Sequence, residues 1–364
     1  MSAGKTDGVP APPVRTVVGM SSPSRTLLEV SGVDVHDDAE CAAAYAVVRA
    51  SQDHERPWND TDSYEPTVAE WRFDDPSERS EMWAVRDGDT VVGVGQIWLP
   101  LLDNVDKMWF HVHVHPAQRR QGAGSALVER IRQRAHEEGR REMLTESLVP
   151  AASTGEHAYE RFAAATGFEL ASTDKARLLT FPLPSGRLTV LADEARPRWA
   201  DAYRLETHTG GLPDALVEGY CHVSNQLGVD APSGDVDFEA ESLDPAIYRQ
   251  RQQLEREQGR TRITTVAVEQ RTGTVVAYTD LILPAGAPAH VWQWGTLVDH
   301  AHRGHRLGMA VKVANLQRLQ SDFPERTVVG TGNDETNSWM VAINEALGFE
   351  LVELCRMYHR VLTG

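Results

Sequence analysis

The run Ala84-Val85 … Thr90-Val91-Val92-Gly93 … Leu99-Pro100 returns later in the chain as Ala267-Val268 … Thr274-Val275-Val276-Ala277 … Leu283-Pro284. Thr90 to Thr274 and Arg119 to Arg303 share one offset, so no gap intervenes over that stretch. Gly167-Phe168 recurs as Gly348-Phe349 at a slightly shorter offset. Such a repeat is a tandem duplication, so whatever unit folds here folds twice. At 364 residues the chain is too long for one ordinary core and fits two domains. The seam falls at Phe181-Pro182-Leu183-Pro184-Ser185-Gly186, where turn-forming residues follow a strand-like run. The expected division is residues 27–183 and 184–364, with a Gly-, Pro-, Ser- and Ala-rich flexible tail over residues 1–26.

Each copy reads as an α+β unit with a mixed sheet, placing the chain in the α/β class. Residues 38–51 and 193–208 have the pattern of helices. A hairpin follows the first of these: Met82 to Arg86, an Asp87-Gly88 turn, then Thr90 to Trp98. The strand Met108 to Val114 runs into a glycine turn at Arg119 to Gly124. A helix opens there, with Ala126, Leu127, Ile131 and Ala135 as its apolar stripe; Ala310, Val313, Ala314 and Leu316 correspond in the second copy. A strand, a short helix and a final strand close each copy.

Charge narrows the partners. Lys plus Arg number 36 against 53 Asp plus Glu, a net charge of −17. A nucleic-acid binder needs a basic face, so no nucleic-acid partner is expected. An acidic surface instead concentrates cations and amines. No apolar run approaches the ~18 residues of a membrane span, and no apolar signal core follows Met1, so a cytoplasmic chain without a membrane partner is expected. Cys41, Cys221 and Cys355 are scattered and odd in number, which excludes a disulfide framework and a Cys-paired zinc site.

The sharpest local signal is Val114-His-Pro-Ala-Gln-Arg119-Arg120-Gln121-Gly122-Ala123-Gly124-Ser125, a strand feeding a tight glycine turn that opens a helix. The first N–H groups of a helix have no intrahelical partner and its dipole is positive there. Glycines let the backbone approach an anion, and Arg119 and Arg120 add charge, so the turn suits a pyrophosphate. It is not a Walker loop, since no Gly-Lys-Ser/Thr follows, and it lacks the third glycine of a dinucleotide fingerprint. The second copy, Val298 … Arg303-Gly304-His305-Arg306-Leu-Gly308, repeats Arg and Gly at the same offsets.

Arg119-x-x-Gly122-x-Gly124 after a strand ending in Val114 resembles the acetyl-CoA-binding motif of the GNAT superfamily of N-acyltransferases. The duplication resembles tandem members of that superfamily. The resemblance implies two GNAT-like domains, each with its sheet splayed between the fourth and fifth strands and acetyl-CoA in the gap. It implies that strand backbone at Val112 and Val114, and at Thr296 to Val298 in the second copy, pairs with the pantetheine arm. Arg306 departs from the pattern, standing where the first motif glycine is expected, so the first copy is favoured for intact cofactor geometry.

The function expected is transfer of an acyl group, acetyl by preference, from acyl-CoA to a small, cationic amine. The alternative is a non-catalytic CoA-binding or interaction protein. Acyl transfer needs an oxyanion donor, for which a strand N–H near Val114 is the candidate. It also needs a base for the amine and an acid for the thiolate. The tyrosine that family members carry shortly before the closing Gly-Phe is absent: Ala163 and Asn344 stand at those places. Tyr159, one helical turn earlier, is the candidate acid, with packing beside Phe162 as its structural reading. His111, His113 and His115 alternate along one strand and share a face, which makes His111 and His113 candidate bases. A half-solvated strand face is the plain reading of the same pattern, and no metal is expected. The comparable second strand, Trp292 to Val298, holds no titratable group, and Asn333 and Asn337 read as caps or turn formers. Before each hairpin lies an acidic stretch: residues 53–78 hold nine acids, among them Glu70, Asp75 and Glu78, and residues 230–244 hold six, including Glu241. Both read as a mouth for a cationic acceptor or as solvated loops, with Trp58 and Tyr64 as an aromatic wall.

Overall fold

The computed structural model describes residues 28–59, 62–230 and 234–362; the expected tail over residues 1–26 lies outside them, as does Asp60. The first half runs β1 (Glu29–Gly32), α1 (Asp38–Gln52), α2 (Tyr64–Trp71), β2 (Glu78–Asp87), β3 (Thr90–Pro100), β4 (Lys107–Val114), α3 (Ala123–Glu137), β5 (Glu142–Pro150), α4 (Ala158–Ala165) and β6 (Glu169–Thr180). The second half runs α5 (Arg187–Ala195), β7 (Tyr203–Thr209), α6 (Asp214–Ser224), α7 (Leu227–Asp230), α8 (Pro245–Glu257), β8 (Thr261–Glu269), β9 (Val275–Leu283), β10 (His290–Val298), α9 (Leu307–Asp322), β11 (Val328–Asp334), α10 (Ser338–Leu347) and β12 (Glu350–Val361).

Local chemistry explains most of these boundaries. Asp37 caps α1 by accepting from the N–H groups of Ala39 and Glu40, and Cys41, Ala44, Val47 and Val48 form its buried stripe. In α3 the buried stripe is Ala123, Leu127, Val128, Ile131 and Ala135. The helix expected over residues 193–208 is corrected: α5 ends at Ala195, and Tyr203–Thr209 is a strand. Pro197 interrupts the helical pattern, and the Tyr-x-Leu-x-Thr alternation from Tyr203 pairs along β8 instead.

The twelve strands of the described residues form one sheet in the order β1-β2-β3-β4-β5-β12-β6-β11-β10-β9-β8-β7. The last strand of each copy has changed sides. β12 lies antiparallel between β5 and β6, and β6 lies antiparallel between β12 and β11. The final strand of neither copy closes the sheet of its own half, so the halves are joined by continuous hydrogen bonding across their centre.

Two splays open the sheet. β4 pairs parallel with β5 only from Lys107 to Trp109, and β10 with β11 only from His290 to Trp292. On one face α3 and α9 each cover a core, with Ile97, Met143 and Tyr358 under α3 and Val291, Val329 and Phe349 under α9. On the other face α1 and α2 cover the first half, and α6 and α8 the second. These latter faces turn toward each other: Trp109 stacks on Phe238 at 6.2 Å between centroids, Arg260 pairs with Asp62, and Gln258 Nε2 donates to the Pro66 carbonyl at 3.2 Å.

Candidate active site

β4 is antiparallel to β3 in unbroken register from Trp109 opposite Trp98 to Val114 opposite Gly93. The His115 N–H donates to the Val92 carbonyl at 3.0 Å, so by the alternation of an antiparallel ladder His113 and His111 also bond toward β3. The N–H groups of Val112 and Val114 therefore point the other way, into the gap where β5 has splayed off. They are the open donors that an extended amide chain or a developing oxyanion requires.

The glycine turn sits at the end of that strand. Gly122 has φ +97°, and a Cβ built there would touch only the Leu28 side chain, at 3.8 Å. Glycine is needed here for its backbone conformation and for an open cradle. Gly124 is small for a different reason, since a Cβ there would come within 3.0 Å of the Phe162 ring. Among the described residues no side chain caps the start of α3, so its first N–H groups face the cradle. Arg119 bonds the Val114 carbonyl through Nε at 3.3 Å and lies over the Tyr159 ring at 5.4 Å. Among the described residues neither Arg119 nor Arg120 has a carboxylate partner. Arg119 to Ser125 line a cavity of about 690 Å³ with Val112, Val114 and Tyr159. A second cavity of about 190 Å³ lies in the splay itself. Tyr159 and Phe162 form a wall common to both.

The second copy repeats the bond from the turn arginine to the strand, Arg303 Nε to the Val298 carbonyl at 3.2 Å, but differs in the cradle and in the gap. Arg306 takes the left-handed position at φ 56°, and its guanidinium turns to the Glu194 carbonyl. Arg303 is held by Asp230 at 2.9 Å. The splay beyond β10 is filled. Lys312 Nζ donates to Asn344 Oδ1 at 2.8 Å, Asn344 Nδ2 to Asn333 Oδ1 at 2.9 Å, and Arg177 Nη1 to the same oxygen at 3.1 Å. In the first copy Tyr358 occupies the place of Arg177, and Val128, Ser147 and Ala163 lie beside it in the gap. There the Ser147 and Tyr358 hydroxyls are buried without hydrogen-bond partners among the described residues. Asn333 belongs to this network and does not cap a helix; Asn337 does cap α10, accepting from the Met340 N–H at 3.1 Å.

The histidines separate. His111 and His113 share a face of β4, whereas His115 lies beyond the strand and accepts from the Ala117 N–H. Their face is opposite to α3, turned toward the other half. Burial pushes the His113 ring down to about 3, with the charges of His111 and Arg119 adding to it. Burial also lowers His111, but Glu146 at 3.8 Å opposes the shift. Of the two rings His111 is the one with a carboxylate within reach among the described residues, Glu146 across the gap. Glu146 was not visible as a site residue in the sequence, because nothing local couples a β5 carboxylate to a β4 imidazole.

The aromatic wall expected from Trp58 and Tyr64 is corrected. Trp58 donates to Glu353 at 3.1 Å, and Tyr64 packs edge-on against Tyr45 with its hydroxyl on the Asp38 carbonyl. The ring beside the site is Trp98, whose centroid lies 4.9 Å from that of His111.

A structure of a tandem GNAT protein from the clavulanic acid biosynthesis pathway is 25% identical, matching 93% of this chain and 99% of that one with a TM-score of 0.71. The chain has the tandem GNAT fold. Residues 45–163 match the profile of the acetyltransferase (GNAT) family. A GCN5-related N-acetyltransferase from Sphaerobacter thermophilus shares the fold at 14% identity, with a TM-score of 0.61 over 94% of this chain and 97% of that one. No curated protein matches the sequence significantly. The matched residues span α1 to α4, and so include β4, the glycine turn and Tyr159 of the first GNAT unit. No helix among the described residues is long and apolar enough to cross a membrane.

Proposed function

We propose that the chain is an acyl-CoA-dependent N-acyltransferase whose chemistry is carried out by the first GNAT unit, residues 27–183, on a small cationic amine. The observation that carries this reading is the contrast between the gaps. In the first unit an open cradle runs past Tyr159 into an open splay, whereas in the second the same path is filled by Lys312, Asn344 and Asn333. The cradle backbone from Gly122 to Ser125, with Arg119 and Arg120, fits a pyrophosphate, and the free N–H groups of Val112 and Val114 fit the pantetheine arm.

In the reaction the amine nitrogen bonds to the thioester carbonyl carbon and the C–S bond breaks. His111 takes the proton that nitrogen loses, with Glu146 balancing the imidazolium charge. Tyr159 is the assigned proton donor to the departing thiolate. His113, pushed down to about 3, is too weak a base to share the work and is assigned to positioning. The second unit, residues 184–364, serves as the facing wall, and for that half alone the filled gap favours a non-catalytic role.

Calorimetric titration with acetyl-CoA tests the reading. One equivalent is expected, lost in a Gly122→Val variant, together with free-thiol release in the presence of a suitable amine. Absence of binding overturns it, and two equivalents overturn the assignment to the first unit.

A further inference from the structure

A chamber of about 780 Å³ lies between the facing halves, distinct from the cradle and the splay. Trp98 is in its wall and is also the ring packed on His111, so the chamber ends beside the candidate base. Its charges do not balance. Each arginine on the wall already has a carboxylate: Arg251 has Asp75 at 3.3 Å, Arg260 has Asp62, and Arg262 has Glu255 and Asp280. Glu78, inside the chamber, and Glu241, at its mouth, have neither a hydrogen-bond nor an ion-pair partner for their carboxylates among the described residues. A second observation is independent of charge. Gln258 is 2% exposed and lines the same chamber. Its Nε2 is engaged by Pro66 and by Glu70, but its Oε1 has no donor. A buried acceptor without a donor is destabilising until an N–H group is supplied to it. The aromatic faces of Trp98, Trp292 and Trp294 also line the chamber, and arginines already lie over the last two at 5.1 Å.

Unpaired carboxylates, an orphaned amide oxygen and ring faces together select a planar, N–H-rich cation. Resting on the acyltransfer reading above, we propose that this chamber holds the acceptor, and that the acceptor carries a second cationic group, best a guanidinium, bound at Glu78 and separated by an alkyl chain from the amine presented to His111. The spacing follows from the strands. Glu78 stands opposite Pro100 and His111 opposite Gln96, four residues apart on β3 and on strands either side of it. That places the two backbones on the order of 15 Å apart, a span that two side chains and a short alkyl chain together bridge. An α-amino group adjacent to its own cation does not bridge it. Burial and the neighbouring Asp75 push the Glu78 carboxyl up to about 7 against the opposing charge of Arg251, whose own ion-pair partner is Asp75.

The test uses the full chain and three probes: agmatine, 1,4-diaminobutane and butylamine. Agmatine is expected to bind about tenfold or more tighter than butylamine, with the diamine between them. A Glu78→Gln variant is expected to bring all three within about twofold, leave acetyl-CoA binding unchanged, and melt no lower than the parent at pH 8, since it removes a buried charge. Equal binding of agmatine and butylamine by the parent overturns the proposal, as does a preference that survives Glu78→Gln. If acetyl-CoA fails to bind while the agmatine preference is present and depends on Glu78, the acyltransfer reading falls and the chamber assignment stands.

Discussion

Arg56 and Glu353 are 297 residues apart in the chain and form one bidentate ion pair, Nε to Oε2 at 2.7 Å and Nη2 to Oε1 at 2.8 Å. Their side chains are 9% and 7% exposed, and Trp58 donates a third bond to the same carboxylate. The pair fastens the loop after α1 to β12, the exchanged strand that arrives from the other half. Removing one partner strands a buried charge, so Arg56→Ala or Glu353→Ala is expected to cost about 3–5 kcal/mol. Urea unfolding of the two single variants and the double variant measures it. A double variant no worse than either single one identifies the cost as that of the stranded charge.

The histidines predict a pH profile. Burial lowers His111, so the neutral base persists as pH falls below the usual imidazole range. The acid limb of kcat, read at saturating acceptor so that ionisation of Glu78 does not enter, is expected below pH 6.5, and Glu146→Gln is expected to move it lower still by removing the group that favours the imidazolium. His111→Gln is expected to reduce kcat by about a hundredfold or more, with His113→Gln far milder. An acid limb at or above pH 7 in the parent contradicts the assignment.

Gly122 and Gly308 predict an asymmetry. Gly122→Val forces a β-branched residue to φ +97° in the cradle, and acetyl-CoA binding is expected to disappear. Gly308→Ala meets the tip of Ile343 at 3.2 Å in the half whose gap is filled, and is expected to leave acetyl-CoA stoichiometry unchanged. Calorimetry on the two variants distinguishes these outcomes directly.

Lys312 predicts a slope in stability. Burial pushes its amine down to about 7, while in the unfolded chain it titrates near 10.5. Between those values the unfolded state binds one more proton than the folded state, so this group makes stability rise with pH by about 1.4 kcal/mol per unit from pH 7 to pH 10. Lys312→Met removes that contribution, and its stability is expected to be flatter across the same window in chemical denaturation. An unchanged slope means that Lys312 is charged in the folded protein.

Much of the site's local machinery was legible in the chain. The strand ending at Val114, the glycine turn and the stripe of α3 are all sequence-local, because turn conformation and helix periodicity depend on neighbours within a few residues. The acids flanking the two hairpins are far apart in the chain, yet Glu70, Asp75, Glu78 and Glu241 line one chamber. Where reading failed, the deciding contact was remote. Trp58 and Tyr64 resemble binding-site aromatics locally, yet each is used by a structural hydrogen bond. Tyr203–Thr209 looked continuous with the preceding helix until β8 supplied a partner for it.

By itself the sequence determined that one unit occurs twice, where the glycine turn that opens α3 lies, and that Arg306 stands in place of its first glycine in the second copy. Those properties rest on pattern and backbone conformation. Only the tertiary structure decided that β6 and β12 exchange halves, that Glu146 meets His111, and that Asn333, Asn344 and Lys312 fill one gap while its twin stays open. A duplicated chain offers every strand two nearly equivalent partners, and the choice between them is made by long-range packing and buried ion pairs such as Arg56 with Glu353, whose members no local pattern brings together.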